Sequence, residues 1–337
     1  MHVGRQYTLR EFVVWSRFDS YRLLAVVAVP TLAYVFLGFT WLALPWVPIA
    51  LIGTAAAFIA GFRNNATYAR AWESRQIYGA IVNASRTWGL QVMDFVRAGG
   101  SLSEAEAAAT RTQLIHRHVA WLTVLRFQLR QPRPWESMQF TSNAEYQARN
   151  FTIPERTEDL GDVLRPLLSE DDRTHVLSGS NRATRAISLQ GRQLAALHAA
   201  GVIDAYHHVA MERQLAELLD QQGRAERIKN YPYPRQYVSI SKFFVHLFIG
   251  LTPLGLLNEF SKTSDWRIWL TIPTGFLIGW VFNAMERVGQ ATENPFEGNA
   301  NDTPITTLSR TIEIDLREML GEEDIPAPIA AQHNIQI

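Results

Sequence analysis

The sequence contains 40 consecutive residues without a charged side chain, at positions 23–62. About 20 apolar residues cross a bilayer as a helix, so this run predicts two membrane spans. Pro45 and Pro48 lie near its middle beside Trp41 and Trp46, and tryptophan is typical of the membrane–water interface. We therefore place the turn between the two spans there. The mean hydropathy of the whole chain, −0.07, hides this pattern because the apolar residues are concentrated in a few segments.

A second apolar pair follows late in the chain, at residues 243–257 and 268–285, with a short polar linker between them. The first of these segments is short for a span. The N-terminal flank of the first span carries Arg5, Arg10, Arg17 and Arg22, and arginine in this position favours a cytoplasmic N-terminus. Four spans then return the C-terminus to the same side and leave the long middle segment in the cytoplasm. We expect a multi-pass protein of the inner (plasma) membrane with both termini cytoplasmic.

The expected fold class is all-α, and the chain divides into four regions. Residues 1–62 contain spans one and two, and 63–236 form a cytoplasmic helical region. Residues 237–286 contain spans three and four, and 287–337 form a cytoplasmic belt and tail. The helix of the second span is expected to continue past residue 62 without a break. In the cytoplasmic region the pattern predicts helices to residue 95, over 101–131, and over 180–200 and 203–222. A capping box at Ser101 and Glu104 starts the second of these, and residues 135–160 are expected to be irregular.

Several function classes are excluded by composition. The chain has no cysteine, which rules out disulfides, cysteine-ligated metals and thiol catalysis. Its formal net charge is zero, so a nucleic-acid partner is not expected. The pairs His116/His118 and His207/His208 are interpreted as surface histidines, because no carboxylate is aligned with them to complete a metal site. No motif for a phosphate loop, a nucleophile elbow or a zinc site is present.

A stripe of large side chains lies on the second span. Thr54, Phe58 and Phe62 recur every four residues and therefore share one face of a helix. The other faces of this stretch carry small residues, namely Gly53, Ala55, Ala56, Ala57, Ala60 and Gly61. Small residues let helices approach closely in a membrane. The pattern fits either a helix that packs beside copies of itself around a shared axis or ordinary core packing in a helix bundle.

Two segments, in this order and at this separation, resemble the bestrophin family of ion channels in its bacterial branch. The first is Gly61-Phe-Arg-Asn-Asn-Ala-Thr-Tyr-Ala-Arg70-Ala-Trp-Glu73, followed by Tyr78-Gly79 and Ser85-Arg86. The second is Glu293-Asn294-Pro295-Phe296, followed by Asn299 and by Asn301-Asp302-Thr-Pro304. Four hydrophobic segments with a helical block between the second and third also match the family. The resemblance covers residues 15–320.

The resemblance implies a homopentamer with a single axial pore. In the family, the second membrane helix lines a hydrophobic neck, and the matching positions are Thr54, Phe58 and Phe62. A second constriction at the cytoplasmic mouth would fall near Ile203 and Tyr206. The segment after Asn294 would form a structural belt that joins subunits.

Animal members of the family gate with calcium through an acidic clasp that follows the Asn-Pro-Phe motif. Here Glu297 stands where the family usually has glycine, and Asn299 replaces one clasp aspartate. Calcium prefers several carboxylate oxygens, so these departures argue against calcium control. No other cofactor or metal is expected.

The resemblance implies a channel for small monovalent ions rather than an enzyme, with chloride and other anions as the first choice. A neck of phenylalanine carries no fixed charge, so a channel of the same fold selective for monovalent cations is the alternative. A membrane scaffold or enzyme would need a polar catalytic cluster at the membrane surface, and none is evident in the sequence. The expected partners are further copies of the chain, membrane lipids and the permeant ions.

Overall fold

The computed structural model describes residues 1–99 and 102–337, and within them the chain is helical with only isolated β-bridges. The α-helices are α1 Leu9–Leu37, α2 Trp46–Phe95, α3 Glu104–Leu129, α4 Thr141–Asn150, α5 Pro154–Thr157, α6 Leu160–Leu164, α7 Glu170–Leu177, α8 Arg182–Ala199, α9 Ala205–Asn230, α10 Arg235–Ser261, α11 Thr271–Glu293 and α12 Ile305–Leu320. Three 3₁₀ helices, Thr40–Leu42, Ser137–Gln139 and Asp265–Leu270, lie in the connections. The predicted all-α fold class is confirmed.

Four helical segments of the described chain are long and apolar enough to cross a membrane: Val13–Leu37, Trp46–Phe95, Arg235–Ser261 and Trp266–Glu293. In this bundle α2 packs against α10 and α11, and α1 packs against the same two helices. Small residues allow the close approach. A Cβ on Gly53 would lie 2.4 Å from the Phe248 ring, and one on Gly279 would lie 2.8 Å from Leu23. The third span is longer than the predicted 243–257, because its helix begins in the polar sequence at Arg235.

The 50-residue helix α2 connects the membrane bundle to a second, larger core. Its one internal proline, Pro48, lies in the first turn, where a missing N–H breaks no helical hydrogen bond. In the second half of α2, Trp88 and Val92 are fully buried among side chains of α3, α8, α9 and α12. The sequence correctly predicted that this helix continues past residue 62 without a break.

Three local predictions need correction. The capping box of α3 is formed by Ser103 and Glu106, whose side chains and backbone N–H groups bond reciprocally, rather than by Ser101 and Glu104. Gly100 and Ser101 lie outside the described residues. The segment 135–160 is not irregular throughout, because it contains α4 and α5. The helix predicted over 203–222 begins two residues later, and it continues to Asn230.

The interpretation of His118 as a surface residue is wrong. Its ring is fully buried where α3 crosses α2, between Trp88 and Trp121, with centroid distances of 6.2 and 5.2 Å. Its Nε2 lies 2.9 Å from the Ser85 hydroxyl. Burial lowers the pKa of His118 to about 3, so the ring is neutral and serves the packing of this second core.

Candidate functional site

Helix α2 leaves one face uncovered along most of its length. We call this face the free stripe; it consists of the exposed residues Leu51, Thr54, Phe58, Phe62, Asn65, Trp72, Gln76 and Asn83. Phe58 and Phe62 are 65% and 72% exposed, so neither ring belongs to the core of the protomer. The Thr54 hydroxyl donates to the Ala50 carbonyl at 3.0 Å. An uncovered apolar stripe of this kind indicates a contact surface, either with lipid, with another copy of the protein or along the axis of a symmetric assembly.

The two phenylalanines of the free stripe form successive layers. Their ring centroids are 6.4 Å apart and the ring planes differ by 26°. Four residues of helix advance about 6 Å along the axis, so the spacing follows directly from the helix. C-terminal to Phe62, the free stripe contains the uncharged polar residues Asn65, Gln76 and Asn83.

The two residues predicted to form a cytoplasmic constriction are placed differently from each other. Ile203 is 1% exposed and lies in the core that also buries Trp88, so its side chain cannot line an opening. The α8–α9 turn causes this: Gly201 takes φ 72° and the Val202 N–H donates to the Leu197 carbonyl, which turns Ile203 inward. Tyr206 is 88% exposed in the first turn of α9. Of the predicted pair, only Tyr206 has a side chain at the surface.

The motif residues Arg70 and Glu293 meet where α2 and α11 leave the membrane bundle. Arg70 donates from Nε to the Glu293 carbonyl at 3.2 Å, and from Nη2 to the carbonyls of Ile228 at 3.1 Å and Tyr231 at 2.8 Å. It therefore ties α2 to the end of α11 and to the α9–α10 turn. The Glu293 carboxylate binds two further arginines, Arg63 and Arg235. The sequence places Arg63 in the first motif, as the first charged residue after the 40-residue run, but does not indicate its contacts.

The loop 294–302 is folded around the Asp302 carboxylate. Its oxygens accept the backbone N–H groups of Phe296 at 2.9 Å and Gly298 at 2.7 Å, and the Arg130 guanidinium at 2.9 Å. The first of these bonds stabilises the positive φ of 69° at Phe296, which non-glycine residues rarely adopt. Pro295 and Phe296 are buried, and the Asn294 amide donates to the Trp135 carbonyl at 3.3 Å.

Most of this loop is buried inside its own protomer. Asn301 is its exposed member, and its Oδ1 accepts the Tyr7 hydroxyl at 3.0 Å. A belt that joins subunits would therefore have to use Asn301 or the neighbouring chain segments rather than the buried motif residues. The expectation of such a belt stays a prediction.

The donor set of the loop does not fit a calcium ion. Glu297 is fully buried and accepts the Ser137 N–H at 2.8 Å, the Ser137 hydroxyl at 2.5 Å and the Asn299 amide at 2.7 Å. The Asn299 amide also donates to the Ala291 carbonyl at 3.0 Å. Calcium takes six to eight oxygen ligands. Here both carboxylates of the loop are already bonded to donors of the protein, and an –NH₂ group points at the oxygens that a cation would need.

Comparison with known proteins identifies the relatives of the chain. The sequence profile described as Bacterial/Fungal Bestrophin protein matches residues 13–318. The voltage-dependent anion channel-forming protein YneE of Escherichia coli K12 is 25% identical over 99% of this chain and 98% of its own length. The voltage-dependent anion channel-forming protein RSc3414 of Ralstonia nicotianae is 27% identical over 85% of this chain and 80% of its own.

Solved structures give the same result for the fold. The crystal structure of a bacterial bestrophin homologue from Klebsiella pneumoniae superposes with a TM-score of 0.75 at 25% identity. The match covers 91% of this chain and 99% of the homologue. The crystal structure of a mutant bestrophin homologue from the same organism gives a TM-score of 0.74 at 26% identity, with the same coverage of both chains.

The buried Glu297 predicts a pH dependence of stability. Burial raises its pKa from 4.5 to about 7, so its contribution to stability is complete below pH 4.5 and is lost as the pH rises through 7. The loss across that window is about 3 kcal/mol. We expect the midpoint temperature of thermal unfolding in detergent to decrease as the pH is raised from about 5 to about 8. In Glu297→Gln this decrease should be smaller. The exposed Glu158→Gln is the control and should behave like the parent protein. Identical pH profiles for Glu297→Gln and the parent would contradict the assignment.

Proposed function

This chain belongs to the bestrophin family of bacteria and fungi, and we propose that five copies form a ring that conducts small monovalent ions across a membrane. One observation carries the proposal: α2 is covered by α10 and α11 on its other faces and leaves Thr54, Phe58 and Phe62 uncovered along one line. One protomer with four spans cannot enclose a pore with a single helix stripe, whereas a symmetric ring can. The stripe then faces the shared axis as the neck of the pore.

The neck would block ions by excluding water from the pore. Rings of Phe58 and Phe62 give two apolar layers at the separation that their stacking shows in the protomer. A narrow apolar constriction can expel water and so block ions without any charged group. Thr54, one layer further out, adds a hydroxyl and should be the layer that water enters most easily. The same layers carry no charge and therefore do not select the sign of the ion.

We propose anions as the preferred permeant class. The named relatives in Escherichia coli and Ralstonia are described as anion channel-forming proteins. In this chain the free stripe beyond Phe62 exposes the amides of Asn65, Gln76 and Asn83. Amide –NH₂ groups can replace part of the hydration shell of an anion. The carbonyl oxygens of the same side chains could serve a cation, so monovalent-cation selectivity remains the alternative that the experiment must decide.

We further propose that conduction is independent of calcium. The support comes from the hydrogen bonds of the loop 294–302. Arg130 and backbone N–H groups donate to the Asp302 carboxylate, and Asn299 and Ser137 donate to the Glu297 carboxylate. To bind calcium, the loop would have to break these buried bonds, and an unsatisfied buried group costs about 1–3 kcal/mol.

Ion selectivity and calcium dependence can be tested in one preparation. The purified protein is reconstituted in a planar bilayer under a potassium chloride gradient, with and without a calcium chelator. We expect a reversal potential close to the chloride equilibrium potential, and currents that the chelator leaves unchanged. A reversal potential on the potassium side would establish the cation alternative. Currents that rise steeply with micromolar calcium, and lose that response in Asp302→Ala, would contradict calcium independence.

The neck can be tested by removing its aromatic rings. Phe58→Ala/Phe62→Ala should raise liposome flux and leave the ring intact, because both side chains are exposed in the protomer and have few partners to lose. Phe248→Ala provides the contrast, since Phe248 packs against Gly53 in the membrane core and large core truncations cost about 3–5 kcal/mol. We expect that variant to lower the yield of pentamer, measured by native mass spectrometry. An intact ring with unchanged or lower flux in the double variant would refute the gate.

The orientation in the inner membrane is also a proposal, supported by the arginines that precede the first span. The cysteine-free chain allows single cysteines to be labelled from either side. Gln113→Cys in α3 should react with a membrane-impermeant reagent only from the cytoplasmic side, and Thr263→Cys in the α10–α11 connection only from the opposite side. Both positions are exposed in the protomer. Reversed labelling of the pair would overturn the orientation.

A further inference from the structure

Arg63 follows Phe62 directly in the sequence but is 2% exposed, whereas Phe62 is uncovered. Its guanidinium binds two carboxylates of α11. Nη1 donates to Glu286, and Nη2 donates to Glu293 at 2.7 Å. Glu286 and Glu293 are seven residues apart and therefore lie on one face of α11, two turns from each other. The planar fork of arginine suits such a double contact, whereas the point charge of lysine does not.

The contacts of Arg63 extend to a third helix. Arg235, at the start of α10, forms an ion pair with the other oxygen of Glu293 at 2.8 Å, and the Ser241 hydroxyl of α10 donates to Glu286 at 3.3 Å. Two guanidinium groups thus balance two carboxylates. Buried charges are tolerated when they are paired and hydrogen-bonded, and removing one partner leaves the other uncompensated. We call Arg63, Arg235, Glu286 and Glu293 the junction network.

The junction network fixes the rotation of α2 about its own axis. Successive residues of a helix are about 100° apart, so Arg63 points about 140° away from Phe58 and about 100° away from Phe62. A rigid helix that holds Arg63 on α11 must therefore direct both phenylalanines away from α11. Next to Arg63, the Asn64 amide donates to the Met285 carbonyl at 2.9 Å. A Cβ on Gly289 would lie 2.4 Å from the Asn64 oxygen, so α2 and α11 are in close contact here.

We propose that Arg63 is the positioning residue of the neck, and that the junction network sets the direction in which α2 presents Phe58 and Phe62. The proposal rests on the neck assignment made above and adds to it the element that sets its geometry. Without the network, the stripe is free to turn toward a neighbouring helix, and the neck loses its two aromatic layers.

Cysteine accessibility measures this rotation directly. Single cysteines at positions 58, 61 and 62 are introduced into the cysteine-free chain, and their rates of modification by a methanethiosulfonate reagent are measured in reconstituted channels. In the parent background, positions 58 and 62 should react and block the current. In Arg63→Lys, which keeps the charge but not the fork, we expect the rates at 58 and 62 to fall several-fold while the rate at 61 changes in the opposite direction.

Arg86→Lys is the matched control. Arg86 also lies on α2 and donates to a carboxylate of another helix, Asp315 of α12, at 2.8 Å, but its side chain is 46% exposed. It should leave the accessibility pattern unchanged. Glu286→Gln is the second variant, because it keeps the shape of the side chain and leaves Glu293 to bind Arg63. We expect it to shift the pattern in the same sense as Arg63→Lys.

The outcomes separate the inference from the function on which it rests. If cysteines at 58 and 62 do not block the current in the parent background, the neck assignment itself fails. If they do, and Arg63→Lys forms an intact ring with the parent pattern, the neck stands and the positioning role is overturned. If neither Arg63→Lys nor Glu286→Gln assembles while Arg86→Lys does, the network is purely structural and the inference is also overturned.

Discussion

The unbroken helix α2 must satisfy two environments, and the rest of the protomer is arranged around that requirement. The first half of α2 packs through Gly53, Ala56 and Ala60 in the membrane bundle, and its second half buries Trp88 in the second core, outside that bundle. The change occurs at Arg63, where a charge must be accommodated at the end of the apolar run. Because the helix is continuous, the orientation that buries Arg63 against α11 also determines that Phe58 and Phe62 lie on its uncovered face.

The sequence predicted the features that depend on local spacing. The number of spans follows from bilayer thickness, and the shared face of Phe58 and Phe62 follows from the helical period. The errors concern burial that depends on distant segments. Ile203 is buried because the turn at Gly201 directs it into a core built by other helices. His118 is buried because α3 crosses α2, which the spacing of a single helix cannot indicate.

Short polar helices were also not predictable from periodicity. Helix α4 has no buried residue, and the pattern of its ten residues shows no apolar face. It is held by contacts with α1, including the ion pair of Arg17 with Glu145 at 2.5 Å. Its position therefore depends on contacts with other segments, including this ion pair with a residue 128 positions away, the Asn143 amide on the Ser137 carbonyl, and Tyr146 packed on the Phe151 cluster. The only sequence feature that indicates a helix here is the density of amide and charged residues between Pro134 and Pro154, and this feature is weak.

The residues on either side of the loop 294–302, Glu293 and Thr303, both contact α2, and this limits what the loop can do. Before the loop, Glu293 holds Arg63; after it, the Thr303 hydroxyl lies 2.6 Å from the hydroxyl of Ser74. Arg63 and Ser74 are about 16 Å apart along a stiff helix, at a rise of about 1.5 Å per residue. A loop that changed shape on binding a cation would push on α2 at both points. Here Arg130 and Asn299 already donate to the two carboxylates of the loop, so a cation could reach those oxygens only by breaking buried hydrogen bonds. The two flanking contacts, Glu293 with Arg63 and Thr303 with Ser74, therefore hold the loop and α2 in one fixed arrangement.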